Sequence, residues 1–148
     1  MAFLLRRAWI KSLDVDRIRR AIADAEKLTS GEIRVSVSRF FWGKIPPAAE
    51  RAFGRMKMKK TGQRNGVLFF IVPARRKFVV LGDEGIHAKV GQEFWDRLAA
   101  AMSGQFRKGE FTEGIIEGIG EAGLGLASHF PYDSATDKNE LSDEVDVG

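Results

Sequence analysis

The stretch Val67-Leu68-Phe69-Phe70-Ile71-Val72-Pro73-Ala74-Arg75-Arg76-Lys77-Phe78-Val79-Val80-Leu81-Gly82-Asp83-Glu84-Gly85 decides the fold. Val67 to Val72 is apolar without alternation, the pattern of a strand covered on both faces, so it reads as the centre of a sheet. Pro73 to Arg76 is too short for anything but a hairpin turn, so Lys77 to Leu81 returns antiparallel beside it. Gly82 to Gly85 is a second turn.

Upstream, Thr61 to Gly66 is a loop. A helix is expected over about Ala48 to Lys59, with Ala49, Ala52, Phe53 and Met56 inward and Pro46-Pro47 marking its start. Glu32 to about Phe41 alternates Ile33, Val35 and Val37 with Arg34, Ser36 and Ser38, which predicts a half-buried strand. Before it, Asp14 caps a helix whose inward face is Val15, Ile18, Ala21, Ile22, Ala25 and Leu28. Thr29-Ser30-Gly31 ends that helix, with Gly31 suited to a left-handed terminus. Downstream, helices are expected over about Ala88 to Ser103 and Phe111 to His129, the second stopped by Phe130-Pro131.

A helix between two strands is a crossover, and crossovers join parallel strands. The strands beginning at Glu32 and Val67 therefore start at one sheet edge, and the hairpin returns Asp83 and Glu84 to it. Glu32, Asn65, Asp83 and Glu84 are oxygen donors, which suit calcium or magnesium better than a soft metal. His87 either joins them or caps the following helix. Against this stand the good turn chemistry of Gly82 to Gly85 and ion pairing of Glu32 with Lys59, Lys60 or Arg64.

The chain has 148 residues and no cysteine, so it is one domain without disulfides, thiol catalysis or cysteine-held metals. Its longest apolar run has strand length, far short of the roughly 20 residues of a bilayer span. With no signal-peptide pattern at the start, the expected location is the cytoplasm. Net charge is +4; the last sixteen residues contribute −5 (six acids against Lys138), leaving +9 on the body. A basic body meets an anionic partner or is screened by its own tail.

In order and spacing, Thr29-Ser30-Gly31-Glu32-Ile33, Asn65-Gly66-Val67-Leu68, Gly82-Asp83-Glu84-Gly85-Ile86, Phe94-Trp95, and Phe106 to Phe111 with Gly114 resemble the signatures of the TPM domain family. The resemblance covers about residues 14–131. It implies a three-layer α/β/α sandwich with a small mixed central sheet. Relatives include a thylakoid-lumen type linked to photosystem II repair, with claimed acid phosphatase activity; others are reported to bind calcium. Many bacterial members are membrane proteins, and this chain resembles the shorter soluble branch. Where other members carry a Gly-Tyr-Gly-Leu-Glu-like turn, it has Gly82 to Ile86, a departure that weakens transfer of the phosphatase activity. Glu32, Asn65 and Asp83 match as polar positions without an assigned catalytic role.

Other signals carry less. Gly118-Ile119-Gly120-Glu121-Ala122-Gly123 fits the dinucleotide fingerprint by letter but lies inside a helical pattern, so no nucleotide is expected. Gly114 and Gly118 let that helix pack close to the sheet. The basic stretch Arg55 to Arg64 lacks interleaved aromatics, which speaks against nucleic acid. Phe40-Phe41-Trp42 reads mainly as core. His129 at a helix C-terminus has a dipole explanation.

The resulting expectation is an α/β protein with a leader over 1–13, a TPM-like domain over 14–131 and a mobile or draped acidic tail over 132–148. Its function is that of an accessory domain, a monomer, that binds a divalent cation (calcium or magnesium) at Glu32, Asn65, Asp83 and Glu84, a protein partner, or both. The alternatives are a metal-assisted acid phosphatase acting on phosphomonoesters, and an adaptor held on an anionic membrane surface by the leader. The residues define no catalytic set.

Overall fold

The computed structural model describes residues 13–39, 41–133 and 145–148. The expected leader up to Ser12, the ring of Phe40 and tail residues 134–144 lie outside the described residues.

Helix α1 is Val15–Glu26, and Asp14 caps it by accepting from the Arg17 N–H at 3.1 Å. Strand β1 is Glu32–Val37, helix α2 is Ile45–Arg55, and a short 3₁₀ turn covers Met58–Lys60. Strand β2 is Gly66–Val72; the Pro73–Arg75 turn leads to β3, Lys77–Gly82. Helices α3, Glu84–Arg107, and α4, Phe111–His129, follow, and β4 is Val145–Val147.

The sheet order is β3-β2-β1-β4. β1 runs parallel to β2, with Glu32 opposite Gly66, and β2 runs antiparallel to β3, with Val67 opposite Gly82. The crossover and hairpin expected from connection lengths are therefore both present, in a mixed α/β architecture.

The helical layers are unequal. Ile18 and Ile22 of α1, Trp95, Leu98 and Met102 of α3, and Ile115, Ile119 and Leu126 of α4 pack on one face, against Ile33, Val35, Val67, Phe69 and Ile71. On the other face, among the described residues, α2 through Ile45, Ala49, Ala52 and Phe53, with Met58 of the 3₁₀ turn, covers Leu68, Phe70 and Val72. Truncating a fully buried Ile or Leu in such a core costs about 2–5 kcal/mol.

Several local features differ from the sequence expectation. β1 is buried on both faces, the side carrying Arg34 and Ser36 included; alternation names two faces but does not say what lies on them. Helix α2 starts three residues earlier than expected and ends at Arg55, since both prolines fit its first turn and Lys57 turns left-handed. Gly31 does not adopt a positive φ; it is glycine because a Cβ would lie 2.7 Å from Leu126 Cδ2. Leu28, expected inward, is 57% exposed.

Helix α3 starts at Glu84, directly after β3, so Gly82 to Gly85 is strand end, cap and first turn in succession. The helix is kinked at Gly91, whose φ of +76° and ψ of 171° belong to glycine. Gly114 and Gly118 do permit close packing, but mostly on α3: added Cβ atoms would meet Phe106 and Met102, and Phe69 of the sheet only at Gly118. Residues 145–148, expected within a loose tail, form β4 against β1. The Gly148 N–H donates to Val37 C=O at 2.8 Å, and Asp146 pairs with Arg55 at 2.9 Å.

Candidate functional site

Parallel β1 and β2 bring Glu32 and Asn65 to one sheet edge, and the hairpin brings Asp83 there. The Asp83 N–H donates to Gly66 C=O at 2.9 Å. Glu32, Asn65 and Asp83 are all buried, at 3%, 2% and 5% exposure, whereas Glu84 is exposed. The expected convergence of these polar residues at the edge is thus present in the backbone. Their side chains divide it into two ion-pair groups.

The first group centres on Arg34, which is fully buried. Its Nη2 donates to Glu32 Oε2 at 3.0 Å, and its Nη1 donates to Glu26 Oε2 at 2.8 Å. Glu26 Oε2 also accepts from the Ile33 N–H at 2.8 Å, at the part of the β1 edge that β4 does not reach. Glu32 is therefore a partner of Arg34 rather than of Lys59, Lys60 or Arg64. A buried charged triad of this kind needs all its members, because losing one leaves the others uncompensated in a poorly polarisable interior.

The second group centres on Arg64, held in the left-handed region at φ +52°. Its Nε and Nη2 donate to the two oxygens of Asp83 at 2.6 and 2.8 Å, and its Nη1 donates to Glu84 Oε1 at 3.1 Å. Asp83 Oδ1 also accepts from the Glu84 N–H at 2.9 Å, so Asp83 is at once the cap of α3 and the partner of Arg64. The Asp83 hydrogen bond raises the pKa of Arg64; desolvation opposes it, and the charges of Asp83 and Glu84 add to the rise.

The loop that carries Arg64 is itself pinned. Arg64 C=O accepts from the N–H groups of Gly85 and Ile86 at 2.8 and 3.3 Å, satisfying donors of the first turn of α3. A Cβ on Gly85 would lie 2.2 Å from Gln63 O and 2.6 Å from Arg64 O, so only glycine allows this approach. Thr61 Oγ1 accepts from the Asn65 N–H at 3.2 Å, and Asn65 Nδ2 donates to Ser30 Oγ at 3.4 Å.

His87 turns away from the carboxylates: its Nδ1 accepts from Trp95 Nε1 at 3.0 Å across the Gly91 kink. Among the described residues, no three His, Asp or Glu side chains stand together as metal ligands. The oxygen donors that share a position are Asp83 and Glu84, and the cation between them is the guanidinium of Arg64, whose side chain is 35% exposed. A divalent ion fits this pair only in exchange for Arg64. The sequence offers Arg64 as one of three possible partners of Glu32, with Lys59 and Lys60, and sets Arg34 on the face of β1 opposite Ile33, Val35 and Val37.

Beyond the edge, Trp42 is 61% exposed while Phe41 packs edge-on against Phe70, so the aromatic run is split between surface and core. Among the described residues, no helix is long and apolar enough to cross a membrane.

A sheet with a crossover pair, a hairpin and this polar edge defines an α/β domain of a known kind. The sequence model of the TPM domain matches residues 7–123, and the chain belongs to that family. Its fold is also that of the BA42 protein from the psychrophilic bacterium Bizionia argentinensis sp. nov., known from an NMR structure. The two chains are 37% identical, with a TM-score of 0.84 over 93% of this chain and 96% of BA42. No curated protein matches significantly.

Proposed function

We propose that the chain is a TPM-family binding module that takes a divalent cation, calcium or magnesium, on Asp83 and Glu84 in exchange for the Arg64 guanidinium. One observation carries this reading: two carboxylates from adjacent residues converge on one half-exposed cation at the sheet edge. Hard oxygen donors of this kind are the ordinary ligands of both ions. Asn65 is buried at the same edge, where its amide donates to Ser30 Oγ at 3.4 Å. Glu32 stays with Arg34 and contributes through that ion pair rather than as a ligand.

Two features set the strength. Among the described residues only two carboxylates meet there, and the positive end of the α3 dipole lies at Asp83, which opposes a cation. Affinity is therefore expected in the weak range of calcium modules, about 0.1–1 mM.

Calorimetric titration of calcium into three forms tests the exchange. Asp83→Asn should abolish binding. Arg64→Gln should tighten it, because the competing internal cation is gone. Equal binding by Arg64→Gln and the parent would remove the exchange from the account.

A further inference from the structure

The other end of the sheet carries an arrangement that the cation site does not use. Among the described residues β3 is the outermost strand on its side of the sheet, and its residues are exposed or half-buried where all of β2 is buried. Asp83 and Gly66 form a hydrogen-bonded pair, so antiparallel alternation turns the backbone groups of Gly82, Val80 and Phe78 away from β2. An outward row of this kind is a template for another strand.

Two pockets flank the start of β3 and share Arg76 and Phe78. The larger, about 590 Å³, lies beside the first turn of α2; its walls are Pro46, Phe78 and Val79, with Lys44, Arg75, Arg76 and Lys77 around them. The other, about 410 Å³, is lined by Phe78, Phe106 and Phe111 with Arg76 and Arg107. Among the described residues, five cations therefore bracket the strand edge, and no carboxylate lines either pocket. Arg76 is moreover held at φ +52°, a conformation a long side chain adopts only when the surroundings impose it.

We propose that the open edge of β3 docks an acidic, extended segment of a partner protein. The segment adds to the sheet beside β3 and sends alternate side chains to the two pockets, carboxylates toward Lys44 and Lys77 on the α2 side and toward Arg107 on the α3 side. Backbone pairing supplies the affinity and charge supplies the selectivity, as in other strand-addition complexes. A lipid headgroup would use the cations but has no use for a row of backbone donors and acceptors. The bland role of Lys77, guarding an edge against any added strand, predicts no binding at all.

The test uses a fluorescein-labelled (Glu-Val)₄ peptide, read by anisotropy and by amide-resolved NMR on the full chain. Saturable binding with shifts centred on Phe78, Val80 and Gly82 is expected. Arg76→Glu with Lys77→Glu should weaken it at least about tenfold, and Lys44→Glu alone should weaken it too, should the double variant fold poorly. Lys59→Glu with Lys60→Glu, elsewhere on the basic surface, should leave it unchanged. Absence of binding overturns the proposal. So does equal binding of (Lys-Val)₄, or of both peptides N-methylated on alternate residues in either phase. Shifts at these residues with phosphatidylglycerol vesicles but none with the peptide would assign the patch to membranes and overturn it as well.

Discussion

Arg64 is tied to the start of α3 through both its side chain, on Asp83, and its backbone, on Gly85. The side chains of Arg64 and Asp83 form a two-pronged ion pair at 2.6 and 2.8 Å, while the Arg64 carbonyl receives the Gly85 N–H at 2.8 Å, two residues beyond Asp83. The loop before β2 and the start of α3 are thereby one unit, although 19 residues separate the two side chains.

Removing Asp83 therefore costs a helix cap as well as the ion pair. Asp83→Ala should lower stability by about 1–2 kcal/mol, the usual cost of a lost cap. Asp83→Asn retains an acceptor for the Glu84 N–H and should cost less. Urea denaturation of the three forms measures both, and equal losses would mean that the cap contributes nothing.

Gly85→Ala tests the backbone approach. The added methyl would meet two carbonyl oxygens at 2.2 and 2.6 Å, and both belong to backbone. The loop must move away from α3, at a cost of about 1–3 kcal/mol, as for other overpacked sites. Gly31→Ala meets only the flexible end of Leu126, so it should cost less. Thermal unfolding of the pair checks the order; a milder effect at Gly85 than at Gly31 would contradict it.

Arg34 is the most buried charge described. Arg34→Met leaves Glu26 and Glu32 without the guanidinium and should cost about 3–5 kcal/mol. Replacing Glu32 by Leu in the same background should recover part of it, because one of the two carboxylates that lost the guanidinium is then gone. Denaturation of the single and double variants decides; no recovery would mean that packing rather than charge carries the loss.

How far this was legible in the sequence depends on the kind of question. Connection lengths alone brought Glu32, Asn65 and Asp83 to one edge, because a crossover and a hairpin leave few arrangements. The pairing of charges was not legible. Alternation at Arg34 reads as solvent-facing, and nothing in the local sequence says that this face is buried or that Glu26 reaches round from α1. Asp83 and Arg64 were each visible as polar turn residues, but their contact depends on Gly85 admitting the loop. β4 was hidden because Val145-Asp146-Val147 sits among acids and pairs with a strand more than a hundred residues earlier.

A binding module should show no phosphomonoester turnover. With p-nitrophenyl phosphate and either magnesium or calcium, release of nitrophenolate should match buffer. Metal-dependent turnover that disappears in Asp83→Asn would replace the binding account with a hydrolytic one using the same ion to position water.

The most direct test of the cation exchange is an amide-resolved NMR titration with calcium, then magnesium, that also follows the Arg64 Nε–H. The account predicts saturable shifts over Asn65 and Gly82 to His87, together with a change at the Arg64 Nε–H as the guanidinium leaves Asp83. Shifts confined to the acidic residues from Asp133 onward, or none below about 10 mM metal, well above the weak calcium range, would contradict it.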